Sequence, residues 1–164
     1  MVSHLLKYGA LPNTEFEDGC TTWGLAISKQ EGIEGWIAVC ELMLQHGADV
    51  HHQLDTLYFS TDTPLRIALD FISFRKANVA LRKRLANLIA SFLRLGADLH
   101  YKNRDGKTAL DVVKRSYPEI RAVVLKHVEE QKSHRRGRSI TPTGQRSAAG
   151  TRALPRRKCS HIKD

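Results

Sequence analysis

The sequence is thin in the residues that most chemistries require. It holds three cysteines, an odd number without metal-site spacing. Cys20 sits in a turn and Cys40 on an apolar helical face, so inert, reduced thiols in a cytoplasmic or nuclear protein are expected. No stretch approaches 18 apolar residues, which excludes an expected transmembrane helix. The opening Met1-Val2-Ser3-His4 is not a basic stretch leading into a long apolar run, so no secretory signal is visible. There is no phosphate-binding glycine loop, and no local motif joins Cys40 or a histidine to a nucleophile–base pair. Acids such as Asp18 and Asp105 read as turn residues. An enzyme is therefore not expected, nor a catalytic residue, cofactor or small-molecule substrate.

What the chain does contain is repetition. An apolar pair, two residues and Gly-Ala occur three times: Leu5-Leu6-Lys7-Tyr8-Gly9-Ala10, Met43-Leu44-Gln45-His46-Gly47-Ala48 and Phe92-Leu93-Arg94-Leu95-Gly96-Ala97. Each reads as a helix ending on a glycine free to take the left-handed conformation. A helix-opening phrase follows each: Thr21-Thr22-Trp23-Gly24-Leu25-Ala26, Thr63-Pro64-Leu65-Arg66-Ile67-Ala68 and Thr108-Ala109-Leu110. Threonine is a good N-cap, and proline suits the first helical position. Asp-Gly before the first and third of these supplies a tight turn.

At these residues the chain resembles the ankyrin repeat family. Thr63-Pro64-Leu65, Gly96-Ala97-Asp98, Asn103, Asp105-Gly106 and Thr108 look like its consensus. The copies agree in phase: Gly9 to Thr21 and Gly96 to Thr108 are both 12 residues. Gly9 to Gly47 is 38 and Gly47 to Gly96 is 49, against a family period of roughly 33. The excess falls at 30–35, in the hairpin before Thr63, and between Ala68 and Gly96. Departures are Thr22 and Ala109 for Pro, Trp23 for Leu and Asp111 for His. The resemblance implies an all-α ankyrin-repeat solenoid of stacked helix-turn-helix units over residues 1–131. Its parts are a half-repeat at 1–11 and repeats at about 18–50, 60–99 and 105–130. Val2 to Gly9 reads as a second helix with no first helix before it, which suggests the C-terminal part of a longer repeat protein. Ser116-Tyr117-Pro118-Glu119 reads as a capping box opening the last helix.

Charge divides the chain. Residues 1–131 carry 16 Lys/Arg and 16 Asp/Glu, whereas residues 132–164 carry 10 Lys/Arg against Asp164 alone. The second stretch has few large apolar side chains and many Ser, Thr, Gly and Arg, so a disordered basic tail is expected. Its clusters at Arg135, Arg136 and Arg138 and at Arg156, Arg157 and Lys158 suit nuclear targeting or contact with nucleic acid or an acidic partner.

Leu81, Leu85, Leu88, Phe92 and Leu95 recur at helical steps with Arg82-Lys83-Arg84 beside them. Two readings stand: a lengthened second helix with a solvated basic side, or a protruding basic helix that meets an acidic partner. His46, His51, His52 and His100 lack the Cys or carboxylate partners of a zinc site and read as polar hairpin residues. The resemblance implies binding of a protein partner through hairpin tips and inner helices, the tips being 11–17, 50–60 and 99–104. Aromatic and arginine side chains are the usual energetic anchors, which singles out Phe16, Tyr58, Phe59, Tyr101 and Arg104.

Overall fold

The computed structural model describes residues 1–16, 20–29, 32–56, 59–73 and 76–137, with 54–61 and 135–137 described by backbone alone. Seven helices appear among these residues: α1 (Val2–Lys7), α2 (Thr22–Ser28), α3 (Ile33–Gln45), α4 (Pro64–Ser73), α5 (Val79–Arg94), α6 (Ala109–Val113) and α7 (Pro118–Gly137). A short antiparallel ribbon, β1 (Leu54–Thr56) and β2 (Phe59–Asp62), precedes α4, with Leu54 opposite Asp62 and Thr56 opposite Phe59. The ribbon falls in the hairpin expected before Thr63, and the regular structure of the described residues is otherwise helical. The extra residues of this hairpin pair their own backbone groups, which removes unsatisfied donors and acceptors.

The threonines cap as their positions imply. Thr21 Oγ1 accepts from the Gly24 amide at 2.9 Å, and Thr63 Oγ1 from the Arg66 amide at 3.4 Å. At Thr108 the roles reverse: its amide and hydroxyl both donate to the Asp111 carboxylate, at 3.0 and 2.9 Å. Asp111 thereby secures the start of α6.

Helix endings repeat more closely still. Gly9, Gly47 and Gly96 have φ of +93°, +84° and +88°. The next residue closes the turn each time: Ala10 donates to the Leu5 carbonyl, Ala48 to Met43 and Ala97 to Phe92, at 3.0, 2.9 and 3.0 Å. Each glycine amide reaches the carbonyl three residues back, at Leu6, Leu44 and Leu93. This is the Schellman arrangement made three times.

Helices α2, α4 and α6 stack in one layer, and α1, α3, α5 and α7 in a second. Between the layers lies one apolar core that includes Trp23, Ile27, Trp36, Ile37, Leu65, Leu69, Ile72, Leu85, Leu88 and Phe92. The ring of Trp36 lies 4.6 Å from that of Phe71, and Trp23 lies 6.0 Å from Phe92. The Trp36 indole N–H donates to the Ile27 carbonyl at 3.1 Å, so this large ring is buried with its polar atom satisfied.

The lengthened segment before Gly96 packs into this scheme. Helix α5 has 16 residues, opens at Asn78, whose Oδ1 accepts from the Leu81 amide at 2.8 Å, and contacts α3, α4 and α7. It does not protrude. Arg82 donates to the Ala77 carbonyl at 2.9 Å and lies 4.5 Å over the Tyr117 ring, while the Tyr117 hydroxyl accepts from the Ala77 amide. Arg84 pairs with Glu41 on α3 at 3.4 Å, and Lys83 is exposed.

Two further expectations are corrected at the last helix. Ser116 does not cap it: its hydroxyl donates back to the Val112 carbonyl at 3.2 Å, and α7 opens at Pro118. Nor does helical structure end at Gln131, because α7 continues to Gly137. Local bonds carry it on. Lys132 pairs with Glu129 at 2.8 Å, the Ser133 hydroxyl donates to the Glu129 carbonyl at 3.0 Å, and the His134 ring lies 3.0 Å from the Glu130 carbonyl. The expected tail beyond Gly137 lies outside the described residues.

Candidate interaction surface

The loops between the layers form three tips, and side-chain bonds set their spacing. In the first, the Phe16 amide donates to the Cys20 carbonyl at 2.8 Å and the Trp23 amide to the Pro12 carbonyl at 2.7 Å. Asn13 then bridges to the next copy: its amide donates to the Gly47 carbonyl at 2.8 Å and its Oδ1 accepts from the Asp49 amide at 2.9 Å. Asp49 accepts from the His51 amide at 2.8 Å, and Asp98 from the His100 amide at 2.7 Å, the same turn one copy apart. In the third tip, buried Asn103 accepts through Oδ1 from the amides of both Asp105 and Lys107, each at 3.0 Å.

The candidate anchors are spread over these tips rather than gathered into one cluster. Phe16 is 47% exposed on the first tip. Tyr101 is half-buried and Arg104 exposed on the third. Phe59 lies in β2, where its backbone alone is described, and Tyr58 lies outside the described residues. The inner layer offers surface unevenly. Leu25 on α2 is exposed, but every residue of α4 from Pro64 to Leu69 is buried.

Histidines 51 and 100 occupy matching turn positions, and the His51 ring lies 3.7 Å from where a Cβ on Gly96 would stand. Among the described residues no group of three His, Cys, Asp or Glu side chains could hold a metal ion. Cys40 is fully buried, and burial, helped by neighbouring Glu41, pushes its thiol far above the ordinary range. It is therefore unavailable as a thiolate at neutral pH.

Two features escaped the sequence reading. Beneath the middle tip, Arg66 pairs with Asp62 and, at 3.2 Å, with Asp70. Asp62 is 2% exposed and Arg66 8%. Burial pushes the Asp62 carboxyl up, while the Arg66 guanidinium and the Asn103 amide pull it down. The four-residue steps from Asp62 to Arg66 to Asp70 were the available signal. The second is a groove of about 270 Å³ between the ends of α3 and α5, lined by Glu41, Leu44, Gln45, Ser91, Arg94 and Leu95. It lies on the outer layer, not among the tips.

On the basic side, α7 carries Arg135 and Arg136 near its end, and residues 129–134 are all exposed. Arg138, Arg156, Arg157 and Lys158 lie outside the described residues. No described helix is long and apolar enough to cross a membrane.

Comparison with known proteins places the fold and little else. No family model matches the chain, and no curated protein matches it. A solved structure from Leptotrichia buccalis C-1013-b, of a protein described as functionally unknown, is similar, with a TM-score of 0.59 and 21% identity. The match covers 79% of this chain and 67% of that one, and the likeness is one of fold alone.

Proposed function

We propose that the helical pairs form an ankyrin-type solenoid and that the protein is a non-enzymatic scaffold, cytoplasmic or nuclear, binding a partner protein through its tips and exposed inner-helix positions. The observation that carries this reading is the bridge from Asn13 to Gly47 and Asp49. A side chain of one tip fixes the start of the next, so the tips keep their spacing before a partner arrives. Little ordering entropy is then lost on association. Phe16, Tyr101 and Arg104 supply the aromatic and guanidinium surface that such contacts use.

Crosslinking and mass spectrometry from cell extract would identify the partner, and titration calorimetry with the purified partner would rank variants. Phe16→Ala or Arg104→Ala is expected to weaken binding about tenfold or more, equivalent to about 1.4 kcal/mol. A chain ending at Gly137 is expected to bind like the full chain. Normal binding by both variants would overturn the assignment.

The division of charge favours a second reading, in which the basic end of α7 and the sequence after it hold nucleic acid or an acidic partner. The net charge of +9 belongs to 132–164 alone. Phosphate contact of that kind falls steeply with salt. Binding of a labelled single strand that survives removal of residues after Gly137, or that ignores salt, would count against it.

A further inference from the structure

Charge balances over residues 1–131 as a whole but not along α5. From Phe71 to Ala97 the sequence has six Lys or Arg and no Asp or Glu. Four of the six, Arg82, Lys83, Arg84 and Arg94, lie on α5. Two of these are engaged within the array, Arg82 over the Tyr117 ring and Arg84 with Glu41. Lys83 and Arg94 are exposed, and among the described residues no carboxylate pairs with either. Arg94 holds only the Ser91 hydroxyl, at 2.9 Å.

These cations border the groove between the ends of α3 and α5. Lys83, Asn87, Ser91 and Arg94 follow at steps of four, four and three, one stripe of the helix, and Ser91 and Arg94 line the groove itself. The apolar part is supplied by Leu44, nearly buried, and Leu95, which is 49% exposed. The one acid in the wall, Glu41, is already paired with Arg84 at 3.4 Å, and Glu34, the other acid of α3, lies two turns earlier. Lys83, Arg84 and Arg94 against Glu41 leave a surplus of two positive charges (three minus one).

We propose that this outer groove seats an acidic segment of a partner protein, with one large apolar side chain set against Leu44 and Leu95 and a carboxylate beside it on Arg94. Charge selects an anionic occupant, since the free cations lie at the groove and along the stripe that leads from it. The apolar lining selects a peptide among anions, because a nucleic acid would meet the cations and leave the leucines uncovered. Size agrees: about 270 Å³ falls below the roughly 300–1,000 Å³ of sites for whole small molecules and suits a single side chain. Lys83 and Arg94 stand 11 residues apart on α5, about 16 Å along its axis. An extended segment covers that distance in about five residues. The partner therefore carries one acid next to its apolar anchor and a second about five residues from the first. This surface lies on the outer layer, apart from the tips, so both can be occupied together.

Fluorescence anisotropy of the full chain tests this. The probe is a short fluorescein-labelled peptide with one leucine flanked by glutamates. Two comparison peptides have the leucine replaced by serine or the glutamates by glutamine. Saturable binding of the first is expected below roughly 100 μM, with both comparison peptides weaker. Leu95→His should weaken it about tenfold, the order that covering a half-exposed leucine supplies. Arg94→Glu should weaken it about fivefold and Lys83→Glu by less. All three sites are exposed, and the preceding copy has His46 where Leu95 stands, so the variants should keep the parent's circular dichroism. Phe16→Ala, on the first tip, should bind the peptide like the parent. No saturable binding would overturn the proposal. So would binding indifferent to Leu95→His and Arg94→Glu, the result expected if the basic residues 132–164 alone attract the glutamates.

Discussion

The side chain of Asn13 holds the amide of Asp49, 2.9 Å away and 36 residues along the chain. Its other end donates to the Gly47 carbonyl, so one amide group clasps the turn that ends α3. Asn13→Ala removes both bonds at an exposed position. The expected loss is roughly 1 kcal/mol, seen as a fall of a few degrees in Tm by circular dichroism. Asn13→Asp keeps the acceptor and should lie between. An unchanged Tm for Asn13→Ala would mean that water replaces the clasp at no cost.

Gly47 and Gly96 test the helix endings. At Gly47 nothing lies within 4 Å of an added Cβ, so Gly47→Ala meets backbone strain alone. At Gly96 the Cβ meets only the His51 ring, at ordinary contact distance. Each alanine should therefore cost about 1–2 kcal/mol, and asparagine should recover part of it at either site. Urea midpoints decide the matter. Asparagine no better than alanine would point to a cause other than the left-handed backbone.

Arg66 is the test of the buried charges. Arg66→Met leaves Asp62 buried without its cation, which costs roughly 3–5 kcal/mol when a buried pair is broken. Adding Asp62→Leu should restore much of that loss. The double-mutant cycle measures this directly, and strictly additive losses would show that the two residues act independently.

Asp111 gives stability a pH dependence of known sign. The Thr108 amide and hydroxyl and the Lys114 ammonium hold its carboxyl well below the usual carboxylate range. A group depressed in the folded state contributes stability above its unfolded pKa, near 4, and loses it as pH falls through the folded value. Asp111→Ala should therefore be less stable than the parent at pH 7, with the gap narrowing in acid below about pH 4. The site is exposed, so salt should shrink the gap too. A gap that stays constant between neutral and acid urea titrations would remove Asp111 from the account.

Much of the helical fold was legible because its signals are local. A glycine after an apolar pair and a threonine before the next apolar run can be read within six residues, and Gly9, Gly47, Gly96, Thr21 and Thr108 sit where those phrases place them. What could not be read depends on neighbours distant in sequence. Arg66 on a helix with Asp62 and Asp70 looks like a solvated stripe until the adjoining copy closes over it. Ser116 has the spacing of a cap, but α7 opens one residue later than that spacing requires, at Pro118, and the Ser116 hydroxyl donates to the Val112 carbonyl instead. Lys132 to Gly137 looks like tail by composition, yet side-chain bonds to the preceding turn let the helix run on. The candidate surface was legible only as tips. Phe16, Tyr101 and Arg104 are placed on them, whereas the groove beside Leu95 depends on how α3 and α5 abut.

Both tryptophans of the chain belong to the first complete copy, and each indole leans on an aromatic ring of the next, Trp36 on Phe71 and Trp23 on Phe92. Their emission is thus a built-in reporter of one seam, while helical ellipticity averages over the whole stack. If the two signals fade at one temperature, the array melts as a single unit. If fluorescence changes first, the seam between the first and second copies opens before the rest, and stability is graded from one end of the molecule to the other.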